Sequence, residues 1–214
     1  MIELLNEDCM AVMARYPDKH FDLAIVDPPY GIGMDNQNVR TKPNRPNTYL
    51  RIGQRQYKDT NWDNNAPQKP YFDALFNVSK NQIIWGANYF CGNLPSGFGW
   101  IFWDKEMGDN SFSAGEFAYK SFGIKSDRVS IPSMRVKNTR IHPTEKPVKL
   151  YEWLLTNYAK KGDKILDTHG GSMSIAIACH NLGFDLVCTE LDTDYYQAAV
   201  KRYNAHILQQ RLFV

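Results

Sequence analysis

The sequence predicts an open, doubly wound α/β sheet, mostly parallel, with an antiparallel terminal strand pair. Three observations predict it. Short apolar runs alternate with amphipathic stretches along most of the chain, the pattern of strands covered by helices on both faces. Three apolar runs end in an acid (Asp27, Asp167 and Glu190), where sheets of this kind present ligands. The run ending at Asp167 passes through a small glycine-bearing turn, "THGGSMS", straight into a helical stretch. Such a turn lets backbone N–H groups and a helix N-terminus approach a ligand.

The elements follow in order. "IELLNED" reads as a strand, "CMAVMARYP" as a helix stopped by Pro17, and "FDLAIVD" as the next strand. Residues 31–68 are rich in Asn, Gly, Pro, Arg and Gln and poor in aliphatics, so a long loop is expected, of a length that is usually functional. A short helix around "YFDALFNVSK" and the strand "NQIIWGAN" come next. "GWIFWDK" and "SAGEFAYKSF", separated by a polar turn, predict the antiparallel pair; the stripe of Trp85, Trp100, Phe102 and Trp103 reads as core rather than substrate platform. Residues 124–140 are basic and expected to be irregular. From Pro147 a helix is signalled by proline at its first turn and by Val148, Tyr151, Leu154 or Leu155, and Tyr158 on one face, closing at Gly162. "DKILD" is a buried strand, "SMSIAIACHNLG" a helix ending at Gly183, "FDLVCTELD" a strand, and "TDYYQAAVKRYNAHIL" the last helix.

With 214 residues the chain suits one domain, 1–214, with one substantial core. A hydrophobic fraction of 43% and a charged fraction of 22% are ordinary for a globular protein. No apolar run approaches the ~20 residues that cross a bilayer. The acids in "MIELLNEDCM" do not suit a secretory signal, which places the protein in the cytoplasm, and the four scattered cysteines suggest neither a metal site nor disulfides. The net charge of +2 points to no partner by itself. Its distribution does more. The long loop holds Arg40, Lys42, Arg45, Arg51, Arg55 and Lys58 against Asp35 and Asp59, and "KSDRVSIPSMRVKNTR" holds Lys125, Arg128, Arg135, Lys137 and Arg140 against Asp127. Both stretches are read either as phosphate-binding surfaces or as solvated basic loops.

Glu190 lies 23 residues beyond Asp167, about where nucleotide-binding folds place the acid that accepts ribose hydroxyls, which suggests an adenosine-containing cofactor. Asp27-Pro28-Pro29-Tyr30 supplies the other half of a site. This tetrapeptide after an apolar strand resembles the catalytic motif of the β-class DNA amino-methyltransferases, which use S-adenosylmethionine. "NEDCM" before the first helix, "HPTEKP" at His142–Pro147, the Asp167 turn and the Glu190 strand also fall where that family has its motifs. The resemblance, to a small form of the kind found in phages and prophages, implies a class I, Rossmann-like methyltransferase fold in circularly permuted motif order, DNA as partner, and no metal. It implies cofactor contacts from Asp8, Cys9, Lys146, Asp167, Thr168, Gly170, Gly171, Ser172 and Glu190, with Lys146 flanking the cofactor's methionine end. His142 is read either as part of that segment's function or as a loop-ordering residue.

The catalytic motif makes chemical sense independently. An adenine exocyclic amine is a poor nucleophile because its lone pair is delocalised into the ring, so two acceptors on its hydrogens would draw it toward tetrahedral geometry. The Asp27 carboxylate and the Pro28 carbonyl can be those acceptors, held by the fixed φ of Pro28 and Pro29. Tyr30 offers a stacking face for a flipped base, worth roughly 1–3 kcal/mol. The expectation is therefore methyl transfer to adenine N6 in DNA. The alternatives are cytosine N4, RNA adenine or a protein glutamine amide, whose sites more often begin with Ser or Asn.

Two features depart from the family pattern. Its glycine motif reads approximately Asp-Pro-Phe-x-Gly-Ser-Gly-Thr, whereas Met173 stands here at the second glycine. That side chain is expected either to point away from the cofactor or to narrow its site, the second case marking a catalytically silent, DNA- or clamp-binding relative. The chain also leaves only a minimal target-recognition segment, about 124–141, so base readout falls to it, to loop 31–68, or to the partner in a homodimer. Finally, Gln209, Leu212 and Phe213 in "QQRLFV" resemble a sliding-clamp docking peptide, against the plainer reading of a frayed helix end.

Overall fold

The computed structural model describes residues 1–33, 63–96, 98–106, 113–133 and 141–209. Eight strands form one sheet in the order β1-β8-β7-β2-β3-β5-β4-β6. They are β1 (Ile2–Leu5), β2 (Phe21–Val26), β3 (Ser79–Trp85), β4 (Gly99–Asp104), β5 (Gly115–Lys120), β6 (Asp127–Ser130), β7 (Lys164–Asp167) and β8 (Asp185–Thr189). Every described pairing is parallel except those of β5 with β3 and β4. Five α-helices lie among the described residues: α1 (Cys9–Met13), α2 (Lys69–Val78), α3 (Val148–Tyr158), α4 (Ser174–Leu182) and α5 (Thr193–Ile207), with short 3-10 turns at Ala87–Tyr89 and Cys91–Asn93.

The central strand β2 shows why the sheet is sandwiched. Its residues are nearly all apolar and buried, as expected of a parallel strand covered on both faces. Successive side chains alternate. Leu23 and Ile25 enter one core with Trp85, Trp103, Leu150, Leu154 and Ile175, while Ala24 and Val26 enter the other with Phe72, Leu75 and Ile84. The aromatic stripe is split by the same rule. Trp85 and Trp103 are buried, whereas Trp100 and Phe102 are half-buried and Trp100 packs against the other core.

The topology also fixes where a ligand binds. From β2 the chain steps to β3 on one side, and from β7 it steps to β8 on the other. The connections that leave neighbouring β2 and β7 therefore run to opposite sides, which opens a crevice beyond the carboxyl ends of the two strands. Asp27 immediately follows β2, and Asp167 is the last residue of β7.

The helix expected to close at Gly162 ends at Tyr158, Ser79 and Lys80 open β3 rather than ending α2, and one strand forms where none was expected. Within the stretch expected to be irregular, Asp127–Ser130 forms β6, parallel to β4, so the predicted antiparallel pair lies one strand in from the edge. Its signal is too weak to read locally, with a single buried apolar residue, Val129. Tertiary contacts supply the rest: Asp127 accepts from Lys120 Nζ at 2.7 Å and from Tyr158 OH at 2.8 Å, and Arg128 pairs with Asp104 at 2.6 Å.

Trp103 joins the core to this edge, since its Nε1 donates to the Ile131 carbonyl at 2.8 Å. Trp103→Ala is expected to destabilise the fold by about 3–5 kcal/mol, read as a lower midpoint in denaturant unfolding.

Candidate active site

Asp27 leaves the sheet and is fixed at once. Tyr30 OH donates to its Oδ1 at 2.6 Å, and the Lys146 ammonium forms an ion pair with its Oδ2. Asp63 holds the turn from below, its Oδ1 accepting from the Tyr30 and Gly31 backbone N–H groups at 2.7 and 2.9 Å. The Tyr30 ring stacks on Tyr89 with centroids 5.0 Å apart and planes 17° apart. Its edge lies over Gly86, where a Cβ would sit 2.1 Å from Tyr30 Cε1, so only glycine fits beneath this ring.

Lys146 is the centre of a buried charge array. Its Nζ lies 3.1 Å from Glu116 Oε2 and 5.4 Å from the centre of the Trp85 ring, and Glu116 Oε1 is paired in turn with Lys105. Burial pushes the Asp27 carboxyl upward despite the opposing pull of Lys146. Burial would raise Glu116 too, but Lys146 and Lys105 outweigh it and hold that carboxyl at about 2. Lys146, disfavoured by burial, is kept protonated by the two carboxylates and titrates above the ordinary lysine range.

The glycine turn builds the opposite wall. Gly170 N donates to Thr189 O at 2.7 Å, and a Cβ there would meet Cys188 Sγ at 2.6 Å, so the turn packs against β8 only as glycine. Gly171 N donates to Glu190 Oε2 at 2.8 Å, and Asp192 N donates to Oε1 at 2.9 Å. Glu190 is therefore held from both sides. Asp167 accepts from His169 N at 3.0 Å, Tyr71 OH and Thr168 Oγ1 lie 2.6 Å apart, and Thr189 Oγ1 donates to Thr168 O at 2.8 Å. From α5, Arg202 donates to Ser172 O at 2.8 Å and pairs with Glu145 at 3.2 Å, tying "HPTEKP" to the turn.

Met173 resolves one of the departures noted above. Its side chain is fully buried in the core with Ile175 and Cys179, so it points away from the crevice. Its backbone has φ 52° and ψ 35°, the left-handed conformation that glycine adopts freely and other residues adopt at a cost of roughly 1–2 kcal/mol. Core packing replaces conformational freedom at this position.

Between the two walls lies a cavity of about 460 Å³. Of the residues expected at the site, Asp8, Cys9, Asp27, Pro29, Lys146, Thr168, Gly170, Gly171, Ser172 and Glu190 line it. Asp167 and Pro28 are buried behind its lining, and Tyr30 faces the Tyr89 side. Asp8 also caps α1, accepting from Met10 N and Ala11 N at 2.9 and 3.1 Å. Burial, with Asp8 beside it, pushes the Cys9 thiol up to about 12 and keeps it neutral. Lys146 lines the cavity as expected, but its ion pairs are with Asp27 and Glu116. His142 also lines it, its ring 4.4 Å from that of Tyr195 and against Gly171.

Sequence reasoning missed Asp63, Lys105, Glu116, Tyr151 and Tyr195, which carry no local motif and reach the site only through the fold. Of the basic residues, Arg128 is paired with Asp104, and Lys125 lies 3.6 Å from Asp127. Arg40, Lys42, Arg45, Arg51, Arg55, Lys58, Arg135, Lys137 and Arg140 lie outside the described residues, as do Leu212 and Phe213; Gln209 ends the described chain.

Fold and site together define a class I methyltransferase domain, with a nucleotide-type cavity at the switch point of the sheet and an Asp-Pro-Pro-Tyr turn at its rim. The family model described as DNA methylase matches residues 85–201, more than half of the chain. This chain belongs to that family. It is 22% identical to "Putative methylase YubD" of Escherichia coli (strain K12) over 96% of this chain and 91% of the relative. Its fold resembles the crystal structure of the M1.HpyAVI–SAM complex, with a TM-score of 0.58, 19% identity, and 95% and 100% of the two chains covered. It also resembles PvuII DNA methyltransferase (cytosine-N4-specific), with a TM-score of 0.61, 12% identity, and 100% and 88% covered. No helix among the described residues is long and apolar enough to cross a membrane.

Burial is the largest influence on Asp167, whose carboxyl is raised from 3.8 to about 7. An acid with a raised native pKa keeps its proton while the unfolded chain loses it, so stability falls as pH rises from about 4 to about 7. Asp167→Asn removes that loss. Relative to wild type, the variant is expected to gain stability progressively over this window, by up to about 4 kcal/mol at ~1.4 kcal/mol per pH unit. Thermal unfolding of both proteins between pH 4 and pH 8 measures it, and a difference independent of pH contradicts it.

Proposed function

We propose that this chain transfers the methyl group of S-adenosylmethionine to the exocyclic N6 amine of an adenine flipped out of DNA. The observation that carries this reading is the placement of Asp27, oriented by Tyr30 OH and Lys146, on the rim of the cavity that the glycine turn and Glu190 enclose.

The cavity fits the cofactor. Its volume of about 460 Å³ lies in the range of ligand sites, and Gly170 removes a side chain that could not be accommodated beside Cys188. Glu190, fixed through Gly171 and Asp192, is the acceptor for ribose hydroxyls, with Asp8 near the adenine, Thr168 and Ser172 completing the wall and Asp167 buried behind it. Bound there, the cofactor supplies an activated methyl group on a sulfonium.

The chain's own residues do the rest. Asp27 accepts one hydrogen of the target amine and the Pro28 carbonyl accepts the other, which turns the nitrogen lone pair toward the methyl group. As nitrogen gains the methyl it sheds one proton, which Asp27 takes; its raised pKa suits it to that task. Tyr30 stacks on the base, and the basic residues of 31–68 and 124–141 neutralise phosphates. The likeness to the cytosine-N4-specific PvuII enzyme favours cytosine N4 as a second reading, with the same residues in the same roles.

Incubation with labelled cofactor and mixed DNA and RNA, followed by digestion to nucleosides, identifies the acceptor. N6-methyldeoxyadenosine is expected; N4-methyldeoxycytidine establishes the second reading, and a labelled ribonucleoside contradicts both. In Asp27→Ala the transfer rate is expected to fall by roughly a hundredfold or more, with cofactor affinity retained.

A further inference from the structure

Asp27 has both oxygens engaged before any base arrives, Oδ1 by Tyr30 OH and Oδ2 by the Lys146 ammonium. A target amine that donates to Asp27 meets that ammonium, and the positive charge it develops during methyl transfer is repelled by it. The structure holds a second position for the lysine. Glu116 Oε2 is buried and stands 3.1 Å from Lys146 Nζ, already within ion-pair reach of the lysine that Asp27 holds. The other oxygen of Glu116 is occupied by Lys105, so Oε2 is the oxygen that faces Lys146.

We infer that Glu116 is a positioning residue that receives the Lys146 ammonium when the target base enters, releasing Asp27 to accept the amine. This rests on the methyltransferase reading above. Lysine suits the exchange because its compact charge sits on a flexible stem, and a small movement exchanges one carboxylate for the other. The charge stays paired in both positions, so no buried ion is stranded. Lys105 keeps Glu116 in place from the less buried side, where its own side chain is 18% exposed. Glu116 is thus the partner that makes the Asp27–Lys146 pair reversible.

Glu116→Gln removes the receiving charge and leaves Lys146 on Asp27. Single-turnover kcat on DNA is expected to fall roughly ten- to hundredfold, the worth of one charge-assisted hydrogen bond, while KM for S-adenosylmethionine is unchanged. A second readout needs no turnover. Once the methylated position is mapped, DNA with the target base replaced by its deamino analogue lacks the amine. Wild type, without cofactor, is expected to prefer the normal DNA over the analogue, and Glu116→Gln to lose that preference. Full kcat in Glu116→Gln, or a loss confined to cofactor KM, or an intact amine preference, overturns the inference. If Glu116→Gln does not fold, Glu116→Asp, which keeps the charge but withdraws it from Lys146, carries the test: reduced kcat supports the exchange and wild-type kcat overturns it. A wild-type protein that methylates nothing would instead contradict the function on which the inference rests.

Discussion

The ion pair between Lys146 and Asp27 is the contact on which the site depends. It joins residues 119 positions apart, with side chains only 3% and 14% exposed, beyond the carboxyl end of β2. Removing Lys146 would strand the Asp27 carboxylate without its buried ion-pair partner, a loss of about 3–5 kcal/mol, whereas removing Asp27 leaves Lys146 paired with Glu116. The pair therefore brings the "HPTEKP" segment against the end of β2 and closes the cavity over the glycine turn. Arg202 does the same from the far side, reaching Ser172 and Glu145 from α5.

From this follows a division of labour between the two walls. The β2 wall is charged, with Asp27, Tyr30, Lys146 and Glu116 in mutual reach. The β7–β8 wall is fixed by backbone contacts: Gly170 on Thr189, Gly171 on Glu190, and Thr168 beneath Thr189. Transfer chemistry needs both, a rigid seat for the donor and an adjustable acceptor for the amine.

Most of the fold was legible because β2, β7, β8, α3 and α4 carry strong apolar periodicity and clear stops such as Pro17, Pro147 and Gly183. The strand β6 was not legible, since Asp-Arg-Val-Ser offers one apolar residue and pairs through β4 and Tyr158. The site was legible where a motif carries its own chemistry, as in Asp27-Pro28-Pro29-Tyr30, the Asp167 turn and Glu190. It was not where a residue acts through the fold: Glu116 is the second residue of β5, paired across the sheet with Trp103, and Asp63 lies in a polar stretch with no motif. Met173 shows the same limit, for the sequence posed two orientations of its side chain and only the core could choose between them.

The cavity beyond the carboxyl ends of β2 and β7 is proposed to seat the methyl donor, with Glu190 as its ribose acceptor. Calorimetric titration of S-adenosylmethionine into wild type and Glu190→Ala tests it directly. Saturable binding to a single site is expected in wild type, weakened roughly tenfold or more in the variant by loss of hydrogen bonds to a charged acceptor. Absence of binding in wild type, or equal affinity in the two proteins, would contradict it.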